Sequence, residues 1–306
     1  MILLVGAGGQ LGRELSGCLG VLGPLERWTS REVDLADPGL AGVISRMEFP
    51  GLRAVVNAAA YTAVDRAESE EGRAYRVNAE APRLLSALAA RHGAPFVHYS
   101  TDYVYDGAKD GPYVEGDGTA PLNAYGRTKL AGDRLAAEAN PRHLIFRTSW
   151  VYSQTGACFP RTVYGLARSR ESLDMDRTQR GAPTSTELLA AATLAVLRGV
   201  LAGGNAPWGL YHLTAAGEAT WLDFARLVTS RALELGLPLR LRPEAIRPRD
   251  EPDPARPARR PLNSILSTAR IREAFGITLP DWRYHAERFA EGLGIQAGLG
   301  IRPGQP

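Results

Sequence analysis

Short apolar runs recur along the first half of the chain, and polar or glycine-rich segments separate them. Residues 2–5 are apolar throughout, which predicts a strand that is buried on both faces, as in a parallel sheet. Four further runs predict the second to fifth strands at residues 25–28, 54–60, 96–99 and 143–147. Parallel strands need helical crossovers between them, so helices are expected in the intervening segments.

Hydrophobic residues at helical spacing lie in those intervening segments. One face of the first predicted helix carries Leu11, Leu15, Cys18, Leu19 and Leu22. Residues 78–92 carry three leucines at the same spacing and end before a glycine, which is typical of a helix C-terminus. Strands that alternate with helices predict an α/β fold with a doubly wound parallel Rossmann sheet.

A glycine-rich turn follows the first strand and leads into the first helix. Gly6, Gly9 and Gly12 have the spacing Gly-x-x-Gly-x-x-Gly, and Gln10 and Leu11 lie between the last two. Glycines allow a tight turn and let a pyrophosphate approach the helix N-terminus, where free N–H groups favour an anion. A purely structural glycine turn is the alternative, but the order of strand, turn and helix favours dinucleotide binding.

The end of the second strand bears on which dinucleotide fits. An NAD-selective site is expected to place an acid there for the ribose hydroxyls, whereas this chain has Ser30 and Arg31. The missing acid favours a 2′-phosphate and therefore NADPH, although the adjacent Glu32 keeps NADH as an alternative. Asp34, which precedes Leu35, is a candidate to contact the adenine amino group or to cap the next helix.

Small residues mark the carboxyl end of the third strand. Ala58, Ala59 and Ala60 leave room for a cofactor that lies over the sheet edge, and Thr62 follows in the loop. The charged segment 66–73 that comes next is interpreted as a solvated helix face.

A Tyr-x-x-x-Lys sequence provides the candidate reaction chemistry. In a helix, Tyr125 and Lys129 lie one turn apart on the same face, although a chance pattern on a solvated helix is the alternative. A cation about 4 Å from a phenol contributes roughly 4 kcal/mol at an effective dielectric of about 20, so Lys129 is expected to make Tyr125 a proton donor near neutral pH. Thr101, at the end of the fourth strand, is placed to bond a reacting carbonyl oxygen. His98, inside that strand, is interpreted as a packed residue.

Composition excludes several other classes of protein. The 306 residues are 44% hydrophobic and 23% charged, as in an ordinary soluble protein, and the net charge of +3 is too small to indicate nucleic-acid binding. Two cysteines and five scattered histidines predict neither a disulfide framework nor a zinc site. The N-terminus lacks a signal-peptide core, and no apolar run approaches the ~20 residues of a membrane span, so a cytoplasmic location is expected.

Longer blocks of sequence resemble one known family. These blocks are residues 57–65, 100–104, 121–132, 146–152, 181–184, 209–213, 220–221 and 260–264. They resemble the dTDP-4-dehydrorhamnose reductases, which are extended members of the short-chain dehydrogenase/reductase superfamily. The blocks span nearly the whole chain and are far more specific than the glycine turn or the Tyr-Lys pair alone.

The resemblance implies reduction of the C4 ketone of dTDP-4-dehydro-β-L-rhamnose to give dTDP-β-L-rhamnose, a nucleotide sugar for cell-surface polysaccharide. It implies that the nicotinamide gives a hydride to C4 while Tyr125 gives a proton to the ketone oxygen. Lys129 is expected to hold the nicotinamide ribose, and the guanidinium of Arg260 is expected to bind a phosphate. The residues implied to contact the sugar nucleotide are Val64, Asp65, Thr101, Asp102, Trp150 and Arg260.

The resemblance also implies a substrate-binding lobe that is interleaved with the sheet. Residues 1–152 are expected to form the NADP(H)-binding Rossmann domain, and residues 182–214 to return to it with a buried helix and a strand. Residues 153–181 and 215–306 are expected to form a smaller, mostly C-terminal α+β lobe. Most of the segment 240–260, which is rich in proline and arginine, is expected to be an extended surface loop.

Some expectations are less specific. Cys158 stands where the family commonly has Asn and Thr178 where it has Asp, so the exact nucleotide-linked 4-keto-6-deoxysugar is open. A non-catalytic role, like that of the regulatory subunit of methionine adenosyltransferase, is the rival from another class. The resemblance implies a Mg²⁺ ion bound through Glu14 and Glu187, and either a monomer or a homodimer.

Overall fold

Strands and helices alternate along the computed structural model, which describes residues 1–203, 206–251 and 255–299. The strands are β1 (Ile2–Val5), β2 (Leu25–Trp28), β3 (Ala54–Asn57), β4 (Phe96–Thr101), β5 (His143–Thr148), β6 (Val151–Tyr152), β7 (Leu173–Asp176), β8 (Arg180–Gly181), β9 (Thr184–Ser185), β10 (Gly209–His212), β11 (Ala219–Thr220) and β12 (Ile246–Arg249). The helices are α1 (Gln10–Cys18), α2 (Leu40–Ser45), α3 (Val64–Ala67), α4 (Glu71–Tyr75), α5 (Ala81–Arg91), α6 (Ala124–Ala139), α7 (Phe159–Ala167), α8 (Thr186–Leu201), α9 (Trp221–Glu234), α10 (Ala269–Phe275) and α11 (Trp282–Gln296).

The central sheet has six parallel strands in the order β10-β5-β4-β3-β1-β2. The chain runs outward from β1 to β2 and then returns to place β3 on the other side of β1. In sheets of this kind a crevice opens at the carboxyl ends of the strands where the order reverses, and ligands bind there. The predicted α/β fold with a doubly wound Rossmann sheet is confirmed.

Both faces of the sheet are covered by helices. Along β1, Ile2 and Leu4 belong to the hydrophobic layer that contains α1 and α8, whereas Leu3 and Val5 belong to the layer that contains α2 and α5. All four side chains are at most 2% exposed. The uniformly apolar run at the start of the chain therefore forms a strand that is buried on both sides, as predicted.

The helix predicted over residues 78–92 begins earlier than its leucine spacing indicates. The helical path starts with α4, continues through a π-helical turn at Arg76–Glu80 and ends with α5. Buried Asn78 explains the turn, because its side-chain amide bonds the backbone of Tyr61 and the hydroxyl of Thr128. The backbone carbonyl oxygen of Asn78 lies so close to α6 that a Cβ on Gly132 would be 1.9 Å from it.

The expectation of an extended surface loop over most of 240–260 is wrong in part. Residues Ile246–Arg249 form β12, which pairs in parallel with β7. Ile246 and Leu241 are fully buried in a separate hydrophobic cluster with side chains of α7 and α9, and this burial holds the segment in place. Residues 252–254 lie outside the described part of the chain.

β10 joins the central sheet beside β5, and α8 packs against α1. The division of the chain into a cofactor domain and a substrate lobe stays a prediction. No helix within the described ranges is long and apolar enough to cross a membrane.

The close contact between α6 and the π-turn leads to a prediction about stability. We expect Gly132→Ala to lower the free energy of unfolding by about 2 kcal/mol or more, because the added methyl group meets rigid backbone. Gly165→Ala in α7 is the matched control, since nothing lies within 4 Å of its Cβ. It is expected to raise the free energy of unfolding by up to about 1 kcal/mol. Urea unfolding of both variants tests this, and equal effects would contradict the packing.

Candidate functional site

A cleft of about 970 Å³ lies over the carboxyl ends of β1, β3, β4 and β5. Most of the residues predicted from sequence to bind a cofactor or substrate line it together. They are Gly6, Gly9, Gln10, Leu11, Ser30, Arg31, Asp34, Leu35, Ala58, Ala59, Ala60, Thr62, Val64, Thr101, Asp102, Tyr125, Lys129 and Trp150. The separate motifs of the sequence thus converge on one site.

The glycine turn holds the backbone of β1 and β3 close to α1. Gly6 has φ of +82°, and a Cβ there would lie 2.5 Å from the backbone nitrogen of Ala59. A Cβ on Gly12 would lie 2.0 Å from the carbonyl oxygen of Gly6. Gly12 is not among the residues that line the cleft, and the structure shows its close packing of the helix on the strand, while its predicted cofactor contact stays a prediction.

The segment after β2 lines one end of the cleft. The Glu32 carboxylate accepts hydrogen bonds from the backbone N–H of Thr29 at 2.7 Å and from its hydroxyl at 2.5 Å. These bonds lower the pKa of Glu32 and hold the acid within its own turn. Asp34 accepts a bond from the backbone of Ala36 at 2.9 Å, so it caps a local turn and not α2, whose N-cap is Gly39.

Tyr125 lies in the first turn of α6, and the packing of that helix explains its position. Asn123 caps the helix by accepting a bond from the N–H of Gly126 at 2.8 Å. A Cβ on Gly126 would lie 2.2 Å from the carbonyl oxygen of Tyr103, so this glycine lets α6 approach the end of β4. Burial raises the pKa of Tyr125, and the Asp102 carboxyl acts in the same direction, while the Thr101 hydroxyl opposes them.

Lys129 has different partners from those expected. Its Nζ donates to the carbonyl oxygen of Tyr99 at 2.6 Å and lies 3.1 Å from Nε2 of His98. Burial lowers the pKa of Lys129 to about 8, against an opposing effect of the Asp133 carboxylate. The expectation that Lys129 alone lowers the pKa of Tyr125 to near neutrality is wrong in this structure, because burial dominates both groups.

Asp102 directly follows Thr101 in the chain and is 3% exposed. Its Oδ1 accepts a hydrogen bond from the Thr101 hydroxyl at 3.0 Å. Burial raises the pKa of Asp102 to about 6, although the hydroxyls of Ser264 and Thr101 lower it. This carboxyl therefore changes its charge within the pH range in which most enzymes are assayed.

Two stacked indoles form the opposite wall of the cleft. The rings of Trp150 and Trp221 lie 3.6 Å apart at an interplanar angle of 7°, and Phe159 packs on Trp221 at 4.4 Å. Trp150 has a positive φ of 48°, and a Cβ on Gly181 would lie 2.6 Å from its ring. Sequence reasoning gave Trp221 no role. The signal was the matching block at residues 220–221, but no local pattern shows that α9 delivers an indole to Trp150.

Asp65 and Arg260 pair with each other and do not line the cleft. The guanidinium donates to both carboxylate oxygens at 3.0 and 2.7 Å, and Asp65 also accepts a bond from the N–H of Ala258. The Arg260 side chain lowers the pKa of Asp65. Their predicted contacts with substrate stay predictions.

The expected metal ligands form an ordinary charge cluster. Burial raises the pKa of Glu14, and the carboxylate of Glu187 acts in the same direction, yet Glu187 itself pairs with Arg288 at 2.8 Å. Its pKa is lowered to about 2, mainly by His285 and also by Arg288. Among the residues of 1–203, 206–251 and 255–299, no group of three or more His, Cys, Asp or Glu side chains could hold a metal ion. The Mg²⁺ prediction therefore gains no support.

Comparisons with known proteins agree with this geometry. The family described as "RmlD substrate binding domain" matches residues 1–294. The chain is 44% identical to the dTDP-4-dehydrorhamnose reductase of Burkholderia thailandensis, over 92% of this chain and 95% of that protein. The chain belongs to the dTDP-4-dehydrorhamnose reductase family. The resemblance seen in the sequence is confirmed, and the chain is an oxidoreductase by this membership.

Other dTDP-4-dehydrorhamnose reductases give the same picture. The protein from Escherichia coli K12 is 43% identical over 95% of this chain and 97% of its own length. The crystal structure from Clostridium acetobutylicum superposes with a TM-score of 0.83 at 31% identity and covers 95% of this chain and 99% of that one. The structure from Bacillus anthracis, solved in complex with NADP, has a TM-score of 0.82 at 28% identity. The match covers 94% of this chain and 97% of that one.

The buried Asp102 carboxyl leads to a prediction about pH. Its folded pKa of about 6 lies above its ordinary value of 3.8, so its charged form destabilises the fold as the pH rises from about 4 to 6. Asp102→Asn removes this penalty. We expect the free energy of unfolding of the variant, minus that of the unchanged protein, to increase across that range by up to about 3 kcal/mol.

Denaturant unfolding at several pH values between 4 and 8 measures this difference. Asp106→Asn is the control, because the Ala108 N–H and the Tyr113 hydroxyl lower the pKa of the exposed Asp106 below its ordinary value of 3.8. The stability that this carboxylate contributes is complete above about pH 4, so the difference for this variant is expected to stay constant from about pH 4 to 8. A pH-independent difference for Asp102→Asn would contradict the raised pKa.

Proposed function

We propose that this chain is an NAD(P)H-dependent enzyme that reduces the C4 ketone of dTDP-4-dehydro-β-L-rhamnose to dTDP-β-L-rhamnose, in nucleotide-sugar biosynthesis. One observation carries the proposal. A continuous cleft joins the glycine turn to Tyr125, Thr101 and Trp150, in a chain that matches relatives of that activity over nearly its whole length. A non-catalytic regulatory subunit has no need of this complete set of reacting groups.

The protein's part in the reaction is orientation and control of the proton. When bound, the nicotinamide supplies the hydride that reaches C4 of the sugar. The raised pKa of Tyr125 keeps its hydroxyl protonated, which suits a donor to the strongly basic oxygen that forms at the former ketone. The Thr101 hydroxyl lies at the end of β4, where it can bond the same oxygen, and the face of Trp150 offers a stacking surface for the sugar.

The residues of the cleft also fit a nicotinamide dinucleotide. Gly8 and Gly9 line the cleft at the start of α1, and the first turn of that helix has no acidic side chain. A pyrophosphate is favoured in such a place. Ser30 and Arg31 line the ribose end, while the neighbouring Glu32 carboxylate is held by Thr29. This arrangement favours NADPH over NADH.

Removal of the phenol tests the proton donor. We expect Tyr125→Phe to lower kcat by at least about 100-fold, the range typical of a general acid. The affinity for NADPH, measured by fluorescence titration, is expected to remain nearly unchanged because the aromatic ring is kept. Tyr284→Phe is the control, since that tyrosine is 54% exposed and belongs to the C-terminal helix α11. Unchanged turnover of Tyr125→Phe would remove Tyr125 from the mechanism.

Removal of the guanidinium tests the cofactor preference. We expect Arg31→Ala to raise the KM for NADPH by roughly tenfold or more, as for the loss of a charge-assisted bond, with little effect on the KM for NADH. Steady-state kinetics with both cofactors measures the two constants. Arg46→Ala, an exposed arginine outside the cleft, is the control. An equal effect on both cofactors would contradict a phosphate contact at Arg31.

A second candidate function is reduction of another nucleotide-linked 4-keto-6-deoxysugar. A Streptomyces antibioticus protein described as a probable dTDP-4,6-dihydroxy-2-methyloxan-3-one 4-ketoreductase is 39% identical over 92% of this chain and 91% of its own length. An assay of NADPH oxidation with a panel of nucleotide 4-ketosugars separates the two. If NADPH is not oxidised with dTDP-4-dehydro-β-L-rhamnose but is oxidised with another ketosugar of the panel, that ketosugar is the substrate. A cytoplasmic location and a monomeric or homodimeric state stay predictions.

A further inference from the structure

His98 lies at the centre of a buried polar chain beneath the cleft. Nδ2 of Asn57 is 3.1 Å from Nδ1 of His98, and Nε2 of His98 is 3.1 Å from Nζ of Lys129. Asn57 and His98 are directly opposite each other in the paired strands β3 and β4. Both are fully buried, so water cannot satisfy their hydrogen bonds, while Lys129 is 1% exposed and borders the open cleft.

The hydrogen bonds around Asn57 determine where the proton of His98 resides. The backbone N–H of Ala59 donates to Oδ1 of Asn57 at 3.1 Å, which turns the amide NH₂ towards His98. Nδ1 of His98 then accepts from this amide, while the Asn57 backbone, which also bonds the ring, opposes burial and Lys129 by raising the pKa of His98. A neutral imidazole carries one N–H, so that hydrogen is on Nε2 and faces Lys129. An ammonium group has three donors and no acceptor, whereas a neutral amine has a lone pair that can accept this bond.

The charges around Lys129 come from three neighbouring elements. On α6 itself, Asp133 favours the ammonium form of Lys129, and Tyr125 lies one turn before Lys129. On β5, Arg147 pairs with Asp133 at 3.2 Å, and both side chains are 5% exposed. On β4, burial and the proximity of Lys129 hold the pKa of His98 well below its ordinary range, so His98 is not a second cation. The lowered pKa of Lys129 is consistent with this balance.

We propose that His98, oriented by Asn57, is a positioning residue whose Nε2–H stabilises the neutral amine of Lys129 relative to the ammonium ion. Its significance for turnover rests on the proposed function. When the O–H bond of Tyr125 breaks and its proton passes to the sugar oxygen, a phenolate remains. An N–H of the Lys129 ammonium ion can return a proton to that phenolate, which leaves a phenol and a neutral amine. His98 stabilises this product state, and the amine then regains a proton from solvent.

Lysine NMR tests the proposal directly, because the sequence contains two lysines, Lys109 and Lys129. Lysine labelled at Cε and Nζ gives two signals, which Lys109→Arg assigns. In the unchanged protein the Lys129 signal is expected to titrate near pH 8. His98→Gln is expected to raise this midpoint by about one pH unit, because the amide oxygen of glutamine can accept from the ammonium group.

His143→Gln is the matched control, since His143 lies at the start of β5 and bonds the carbonyl oxygen of Asn140. It is expected to leave the Lys129 midpoint unchanged. A midpoint in His98→Gln equal to that of the unchanged protein would overturn the proposal.

The histidine tautomer gives a second measurement that needs no folded variant. Long-range ¹H–¹⁵N NMR of the unchanged chain above the Lys129 midpoint is expected to show His98 protonated at Nε2. Protonation at Nδ1 there would overturn the proposal. Asn57→Asp, whose carboxylate accepts only, is expected to move the proton to Nδ1.

Turnover separates this inference from the proposed function. If the chain reduces the sugar, kcat is expected to fall as the pH rises past the Lys129 midpoint, because the ammonium form is lost, and in His98→Gln this fall is expected to shift along with the midpoint. A merely structural role would lower kcat equally at every pH. If the NMR results hold and no nucleotide ketosugar is reduced, the proposed function fails and the role of His98 towards Lys129 stands.

Discussion

The close approach of α6 to the end of β4 is the constraint on which the site depends. It exists because Gly126 and Gly132 have no side chains, so the helix backbone can contact the Tyr103 carbonyl and the π-turn before α5. The approach buries Lys129 against the strand. A buried ionisable group loses hydration that favours its charged form, so the packing that positions Tyr125 and Lys129 also shifts their pKa values. Position and acidity thus have one physical cause.

The sequence predicts what depends on local pattern and misses what depends on register and distance. The apolar run of β1, the glycine turn and the Tyr-x-x-x-Lys spacing are local, and each lies where it was expected. The bond between His98 and Lys129 follows from packing of α6 over β4, which no spacing reveals. The Asp65–Arg260 pair joins residues 195 apart in the chain. Lys129 was therefore placed on the correct helix face, and its hydrogen-bond partners were not predictable.

Three charged side chains lie buried beneath the cleft, and such burial rarely stabilises a fold. Arg147 and Asp133 form an ion pair with both members 5% exposed, and Lys129 is on the turn before Asp133. The free-energy cost of removing two ions from water is about as large as the gain from their attraction in the protein interior, so a buried ion pair is weak evidence for stability. The set makes physical sense as an electrostatic support for Lys129: Asp133 favours its ammonium form, His98 its amine, and Arg147 moderates Asp133.

The two departures from the family pattern act at a distance from the cleft. Cys158 occupies the N-cap of α7 and makes no side-chain cap bond, whereas asparagine is a preferred N-cap residue. The hydroxyl of Thr178 donates to Asp176 at 2.7 Å, where a second carboxylate would repel the first. Neither residue is among the described side chains that line the cleft. Both changes alter a helix cap or a turn, while Trp150, Trp221 and Phe159 keep their stacking, so they give no physical reason to expect a different sugar.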